Sequence, residues 1–131
     1  MCLFCKIINK DIPAHIVYEN DDVMAILDIS QVTKGHTLVI PKIHVENFLE
    51  CPDHVLHEVA SVSRDLGEKI MNNLHAKGMN ILSNAKEIAG QTIMHYHVHL
   101  IPRYDEQDGI KIQFRASDDP ALEEIAAEVK K

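Results

Sequence analysis

The sequence has no run of about 18 consecutive apolar residues, so no segment of it is built to cross a bilayer as a helix. Nor is a leader expected of its first residues. The opening "MCLFCKIINK" is short, mixed and charged, without the long apolar core of a secretory signal. A reducing, cytoplasmic location is the resulting expectation. Positive charge is scarce as well. Thirteen Lys and Arg face twenty Asp and Glu, for a formal net charge of −7. An acidic chain gains little from a phosphate backbone, which argues against a broad nucleic-acid surface. A small phosphorylated ligand stays possible, because a local pocket can oppose the global charge. Cysteine is limited to three, an odd number that cannot all pair within one chain. In a reducing compartment, closely spaced cysteines suggest metal or redox chemistry before disulfides. Repeats, low-complexity tracts and linkers are missing too, which leaves one domain over residues 1–131 as the simplest organisation.

What is present reads as a mixed fold. Hydrophobic residues make up 46% of the chain, enough for a core. Two apolar runs flank Asn20-Asp21-Asp22 and predict a hairpin, Ile16 to Glu19 and Val23 to Leu27. "HTLVIP" predicts a third strand, closed by Pro41. From Asp53 to Lys77 the period changes to three and four. Val55, Leu56, Val59, Val62, Leu66, Ile70 and Leu74 form the stripe of one long amphipathic helix. Asp53 suits its positive end, and Gly78 is placed to terminate it in a left-handed conformation. "NILSN" and "HYHVHLIPR" predict two further strands. The tail "SDDPALEEIAAEVKK" predicts a helix over about 119–130, with Asp119 as cap, Pro120 at the first position, and an apolar stripe of Leu122, Ile125, Ala126 and Val129. That stripe needs something to cover it. The pattern is α+β, with a largely antiparallel sheet.

The chemistry concentrates in His95-Tyr96-His97-Val98-His99-Leu100-Ile101. Alternate side chains of a strand share a face, so the three histidines point one way, while Tyr96, Val98 and Leu100 point to the core. His95 and His99 would lie roughly 13 Å apart along a strand. A straight row of three therefore serves one tetrahedral ion poorly, and divided labour is the better reading. A neutral imidazole is a competent nucleophile near pH 7, provided its second nitrogen donates to a carbonyl or carboxylate. Protonated neighbours would steady phosphate charge. His54, His57 and His75 fall on the long helix and should face solvent. His15 lies in a loop without a motif, and Cys51 reads as a small apolar residue.

This histidine row resembles the signature of the histidine triad (HIT) superfamily. "IINKDIPAHIVYENDDVMAILDISQVTKGHTLVIPKIH" is similar to the N-terminal half of the Hint branch and of bacterial Hit proteins. The likeness spans roughly Cys2 to Tyr104. It implies a HIT-like α+β fold with about five strands, one long helix and a C-terminal helix, usually as a homodimer. It also implies hydrolysis or transfer of nucleoside monophosphates through a nucleotidyl-histidine, with an AMP-like purine nucleotide as the expected substrate. By resemblance His97 is the nucleophile, His99 polarises the phosphate, and His36 is the fourth histidine near it. Asp28 and Ile29 match positions that contact ribose and base. Asn84 matches an asparagine of the phosphate site. Gly90, Gln91 and Thr92 match a loop touching phosphate and leaving group. Gly90 would permit a close backbone approach, and Gln91 and Thr92 would supply neutral donors. The Hint branch often has serine where this chain has Thr92, which bears on leaving-group preference.

"CLFC" places Cys2 and Cys5 at a spacing that can grip one zinc, and such a site needs about two more ligands. His44 and His95 are the candidates, and some bacterial Hit proteins resemble this Cys, Cys, His, His set. Three other readings stay open: dinucleoside polyphosphate hydrolysis, a non-catalytic nucleotide sensor, and a metalloenzyme with His97 and His99 on a catalytic ion.

Overall fold

The computed structural model describes residues 1–118 and 121–131; the expected cap at Asp119 and Pro120 falls outside them. Asn20 builds the first hairpin. Its side-chain oxygen accepts from the backbone N–H of Asp22 at 2.9 Å and of Val23 at 2.8 Å. This local Asn cap closes the turn between β1 (Ile16–Glu19) and β2 (Val23–Leu27). β3 (Thr37–Pro41) pairs with β2, Val23 opposite Pro41 and Leu27 opposite Thr37. The sheet then continues through β5 (Val98–Arg103) to β4 (Gly78–Leu82), in the order β1-β2-β3-β5-β4 with every neighbouring pair antiparallel.

Both faces of the central strands are covered, which explains their continuous apolar runs. Val23, Ala25, Val39, Val98 and Leu100 lie beneath the long helix α2 (Asp53–Leu74), against its Val55, Val59, Val62 and Leu66. Met24, Ile26, Leu38 and Ile40 take the opposite face, covered by Phe4 and Ile7 of a short helix, α1 (Leu3–Ile8). α1 has no counterpart in the sequence reading: six residues are too few to show a helical period.

Three boundaries differ from expectation. β4 spans Gly78–Leu82, two residues ahead of the "NILSN" signal, because its pairing with β5 begins at Gly78 opposite Arg103. α2 ends at Leu74, with His75, not Gly78, in the left-handed conformation (φ 58°, ψ 38°). Its stripe is exhausted there, and Gly78 is needed three residues later to pair with Arg103 at the start of β4. β5 starts at Val98, so His95 to His97 precede the paired strand. The alternation nevertheless holds, because Tyr96 joins the core under α2 with Val98 and Leu100. His15, His54, His57 and His75 are exposed, and Cys51 packs partly buried against the core, as expected. The C-terminal helix α3 (Leu122–Val129) presents Leu122 at 73% and Val129 at 80% exposure, so its stripe stays uncovered.

Candidate active site and metal centre

β3 and β5 carry the imidazoles to the α1 side of the sheet. His99 stands opposite Leu38 in register, and His36 lies one residue before β3. Gly35 makes this possible. At φ 95° it passes so close to α2 that a Cβ would lie 2.5 Å from Leu74 Cδ1.

His97 is buried and its Nδ1 donates to the His95 carbonyl at 2.7 Å. That bond fixes the tautomer and leaves Nε2 with a free lone pair. Burial lowers the pKa of His97, outweighing the bond to His95 and the Asp28 charge, so the ring is neutral at pH 7. His36 Nε2 and His99 Nδ1 meet at 2.9 Å. Burial lowers both their pKa values, that of His99 to about 4 with the His97 and His36 rings adding to the effect. Two neutral rings at this distance share one proton in a hydrogen bond. Burial thus keeps these imidazoles uncharged in the free protein, where protonated neighbours were expected around a phosphate. For the same reason the 3.6 Å approach of Asp28 Oδ2 to His36 Nε2 is no ion pair at neutral pH. Asp28 turns its other oxygen to the Ser30 N–H at 2.8 Å. Beside it Ile29 is 91% exposed.

The loop after β4 reaches the backbone of His97. Ser83 Oγ donates to the His97 carbonyl at 2.7 Å. Asn84 packs against Gly90, whose φ of 102° and closeness (a Cβ would sit 3.1 Å from Asn84 Nδ2) exclude a larger residue. Thr92 is exposed. Gln91 differs from expectation. It is buried, its Oε1 accepts from the Lys86 N–H at 2.8 Å, and its Nε2 donates to the carbonyls of Glu46 and Ile93. Both amide hydrogens are spent on the loop's own backbone, so Gln91 braces the loop and has no donor left for a phosphate.

The second cluster lies at the other end of the row. Cys2 Sγ and Cys5 Sγ are 3.2 Å apart, and His44 Nδ1 and His95 Nδ1 are 3.1 Å apart. The four sulfur-to-nitrogen distances run 3.5, 3.4, 3.4 and 3.6 Å. Bond lengths near 2.3 Å to sulfur and 2.0–2.1 Å to nitrogen give tetrahedron edges of about 3.3–3.8 Å, so the set fits one tetrahedral ion after small adjustment. His95 Nε2 donates to the Pro41 carbonyl at 2.9 Å, which turns the Nδ1 lone pair to the centre. Cys2, Cys5, His44 and His95 are thus a group able to hold a metal ion. Asp28, His36 and His99 also converge. His97 is not in that group, and the 2.9 Å between the two rings is a hydrogen bond shorter than the edge a shared ion would set.

Two contributors escaped the sequence reading. Ser83 lies in the "NILSN" strand signal and gave no separate sign. Phe4 lies inside the C-x-x-C motif; its ring meets that of His97 edge-on, centroids 5.0 Å apart.

Known proteins resemble this chain in sequence and fold. The chain is 50% identical over 108 residues to Protein hit of Bacillus subtilis, covering 82% of this chain and 74% of that one. It is 34% identical over 117 residues to the adenosine 5'-monophosphoramidase HNT1 of Saccharomyces cerevisiae, covering 89% and 72%. A crystal structure of a HIT family protein from Bacillus anthracis matches with a TM-score of 0.92 at 41% identity, covering 98% of this chain and 94% of that one. A zinc-bound histidine triad family protein from Mycobacterium smegmatis matches at 0.77 and 35%, covering 98% and 95%. Residues 9–106 match the HIT domain. With the histidine row, the five-stranded sheet and these relatives in agreement, the chain belongs to the HIT family.

Proposed function

We propose that this protein is a nucleotide hydrolase that cleaves nucleoside monophosphate esters or phosphoramidates, adenylyl by preference, through a nucleotidyl-His97 intermediate. The observation that carries the reading is the His97 ring: Nδ1 tied to the His95 carbonyl at 2.7 Å, Nε2 bare, beside the hydrogen-bonded His36–His99 pair. The likeness to a yeast adenosine 5'-monophosphoramidase supports the substrate class.

In this reading the base rests on Ile29 and the ribose hydroxyls meet Asp28. The His36–His99 pair and the loop of Asn84, Gly90 and Thr92 surround the phosphate, with Gln91 holding that loop in shape. His97 Nε2 attacks the α-phosphorus. The Nε2–P bond forms as the bond to the leaving amine or alcohol breaks, and the leaving group takes up a proton from solvent. Water then attacks the same phosphorus and gives up a proton to solvent, the Nε2–P bond breaks, and the nucleoside monophosphate departs from a neutral His97. A neutral His97 suits the first step, since a protonated nucleophile has no lone pair to give.

Cys2, Cys5, His44 and His95 would hold a structural Zn²⁺, which when bound supplies a rigid, redox-inert cross-link between α1, the segment after β3 and the start of the histidine row. A reducing, cytoplasmic setting keeps the two thiols available as ligands. Homodimerisation completes the proposal. β4 is an edge strand with Ile81 62% exposed, next to an apolar groove lined by Phe48, Leu56, Val59, Ala60 and Tyr96. Light scattering that reports a monomer at micromolar concentration overturns this part.

The deciding experiment is a panel of adenosine phosphoramidate, adenylyl esters and diadenosine polyphosphates, with mass spectrometry of the quenched protein. An adenylyl mass increment on His97 and fastest turnover of the phosphoramidate are expected. AMP binding with no adduct and no turnover would leave a sensor instead, and preference for the polyphosphates would change the substrate.

A further inference from the structure

We propose that Phe4 is a positioning residue for His97, seated by the metal site. The inference rests on the reading of His97 as nucleophile and adds to it a residue that touches neither substrate nor metal.

The geometry begins with α1. A helix of six residues has little stability of its own and must be held by what it docks against. Two adjoining faces hold it. Cys2 and Cys5, three apart, turn toward His44 and His95. Phe4 and Ile7, again three apart, are buried against the sheet. Phe4 is therefore the inward residue between the two thiol ligands, and only 2% exposed.

Its ring has two neighbours. It meets His95 edge-on at 5.9 Å and 84°, and His97 edge-on at 5.0 Å and 75°. His99 is a second ring neighbour of His97, centroids 5.0 Å apart. His97 thus packs against both Phe4 and His99, contacts that favour one ring orientation. Two of the contacts that hold it come from the metal cluster. The carbonyl that holds Nδ1 belongs to His95, itself a ligand, and the ring that packs on it lies between two others. Without an ion, four donor atoms would crowd within 3.1–3.6 Å with few protons to share among them. Opening that cluster shifts α1, and Phe4 moves with it.

The test compares Phe4→Leu, which keeps an apolar side chain in the gap, with Ile7→Val, which thins the same helix away from the imidazoles. Zinc content, the ¹⁵N spectrum of the His97 imidazole and turnover of adenosine phosphoramidate are measured on each. Phe4→Leu should keep one zinc per chain, show a mixture of His97 tautomers, and lose at least about tenfold in kcat with KM little changed, as expected for a misplaced reacting group. Ile7→Val should match the parent in all three. Removing zinc from the parent with a chelator should give the mixed tautomers of Phe4→Leu. A parent-like His97 spectrum and kcat in Phe4→Leu overturn the proposal, as does an equal loss in Ile7→Val; an unchanged His97 spectrum after zinc removal overturns the seating by metal. If the parent turns over no nucleotide, yet its His97 spectrum still answers to zinc and to Phe4→Leu, the functional reading has failed and the positioning stands.

Discussion

The two ends of the histidine row use the same side chain to opposite ends. At one end His95 donates Nε2 to the Pro41 carbonyl and offers Nδ1 to two sulfurs and a second imidazole. At the other, His97 donates Nδ1 to the His95 carbonyl and offers Nε2 to the open side of the site. Both rings are buried and both have lowered pKa values for the same reason, desolvation. The difference lies in what else converges. Thiols around His95 make a closed set of four donors, which suits a structural ion. Around His97 stand an aromatic edge and a neutral imidazole pair, neither of which competes for its lone pair. An imidazole's task is set by the partner of its second nitrogen and by the company of its first.

The strongest way to break this contrast is to remove one ring from each end. His97→Ala should reduce phosphoramidate turnover by about 10⁴-fold while AMP affinity and zinc content stay near the parent's, measured by kinetics, calorimetry and metal analysis. Cys2→Ser should strike the other end first: zinc binding at least about 100-fold weaker, a melting temperature lower by on the order of 10 °C, and a His97 spectrum like that of the chelated parent. If His97→Ala released the zinc, the two ends would not be separate.

A middle-sized effect tests the neutral pair. His99 titrates near 4 in the folded protein against an ordinary value of 6.5, because burial and neighbouring rings disfavour its charge. The unfolded chain therefore binds the proton first, and stability present above pH 6.5 is lost as pH falls toward about 4. Melting temperature should decline across that window, and His99→Gln should flatten the decline. A melting curve indifferent to pH there would contradict the neutral assignment.

Gln91→Ala should cost about 2 kcal/mol in urea unfolding, since it strands the Lys86 N–H and the Glu46 and Ile93 carbonyls. Nucleotide should stabilise Gln91→Ala as much as it does the parent, whereas loss of a side chain that binds the phosphate would shrink that gain. The smallest effect belongs to Ser83→Ala, which removes one bond to the His97 carbonyl and should cost about 1 kcal/mol with a several-fold fall in kcat.

Much of this was legible in the residues. The hairpin came out with its observed bounds, because Asn20 and the flanking apolar runs act locally. The stripe of α2 did too, because 22 residues repeat one period many times. The end of α2 was misplaced because the stripe's exhaustion at Leu74, and not the nearest glycine, stops the helix; a histidine tolerates the left-handed turn. Gln91 was misassigned because residue type shows that an amide can donate, not to whom.

By itself the sequence determined the alternation that puts His95, His97 and His99 on one side and Tyr96, Val98 and Leu100 on the other. Period and burial preference suffice for that. Only the tertiary structure decided which imidazole does what. Cys2 and His95 are 93 residues apart in the chain and 3.4 Å apart in the fold, and His36 and His99 meet across 63 residues. Such meetings depend on strand order and register, and on a six-residue helix that folds only by docking. No local pattern encodes those distances, because they are the outcome of packing the whole sheet between two helices.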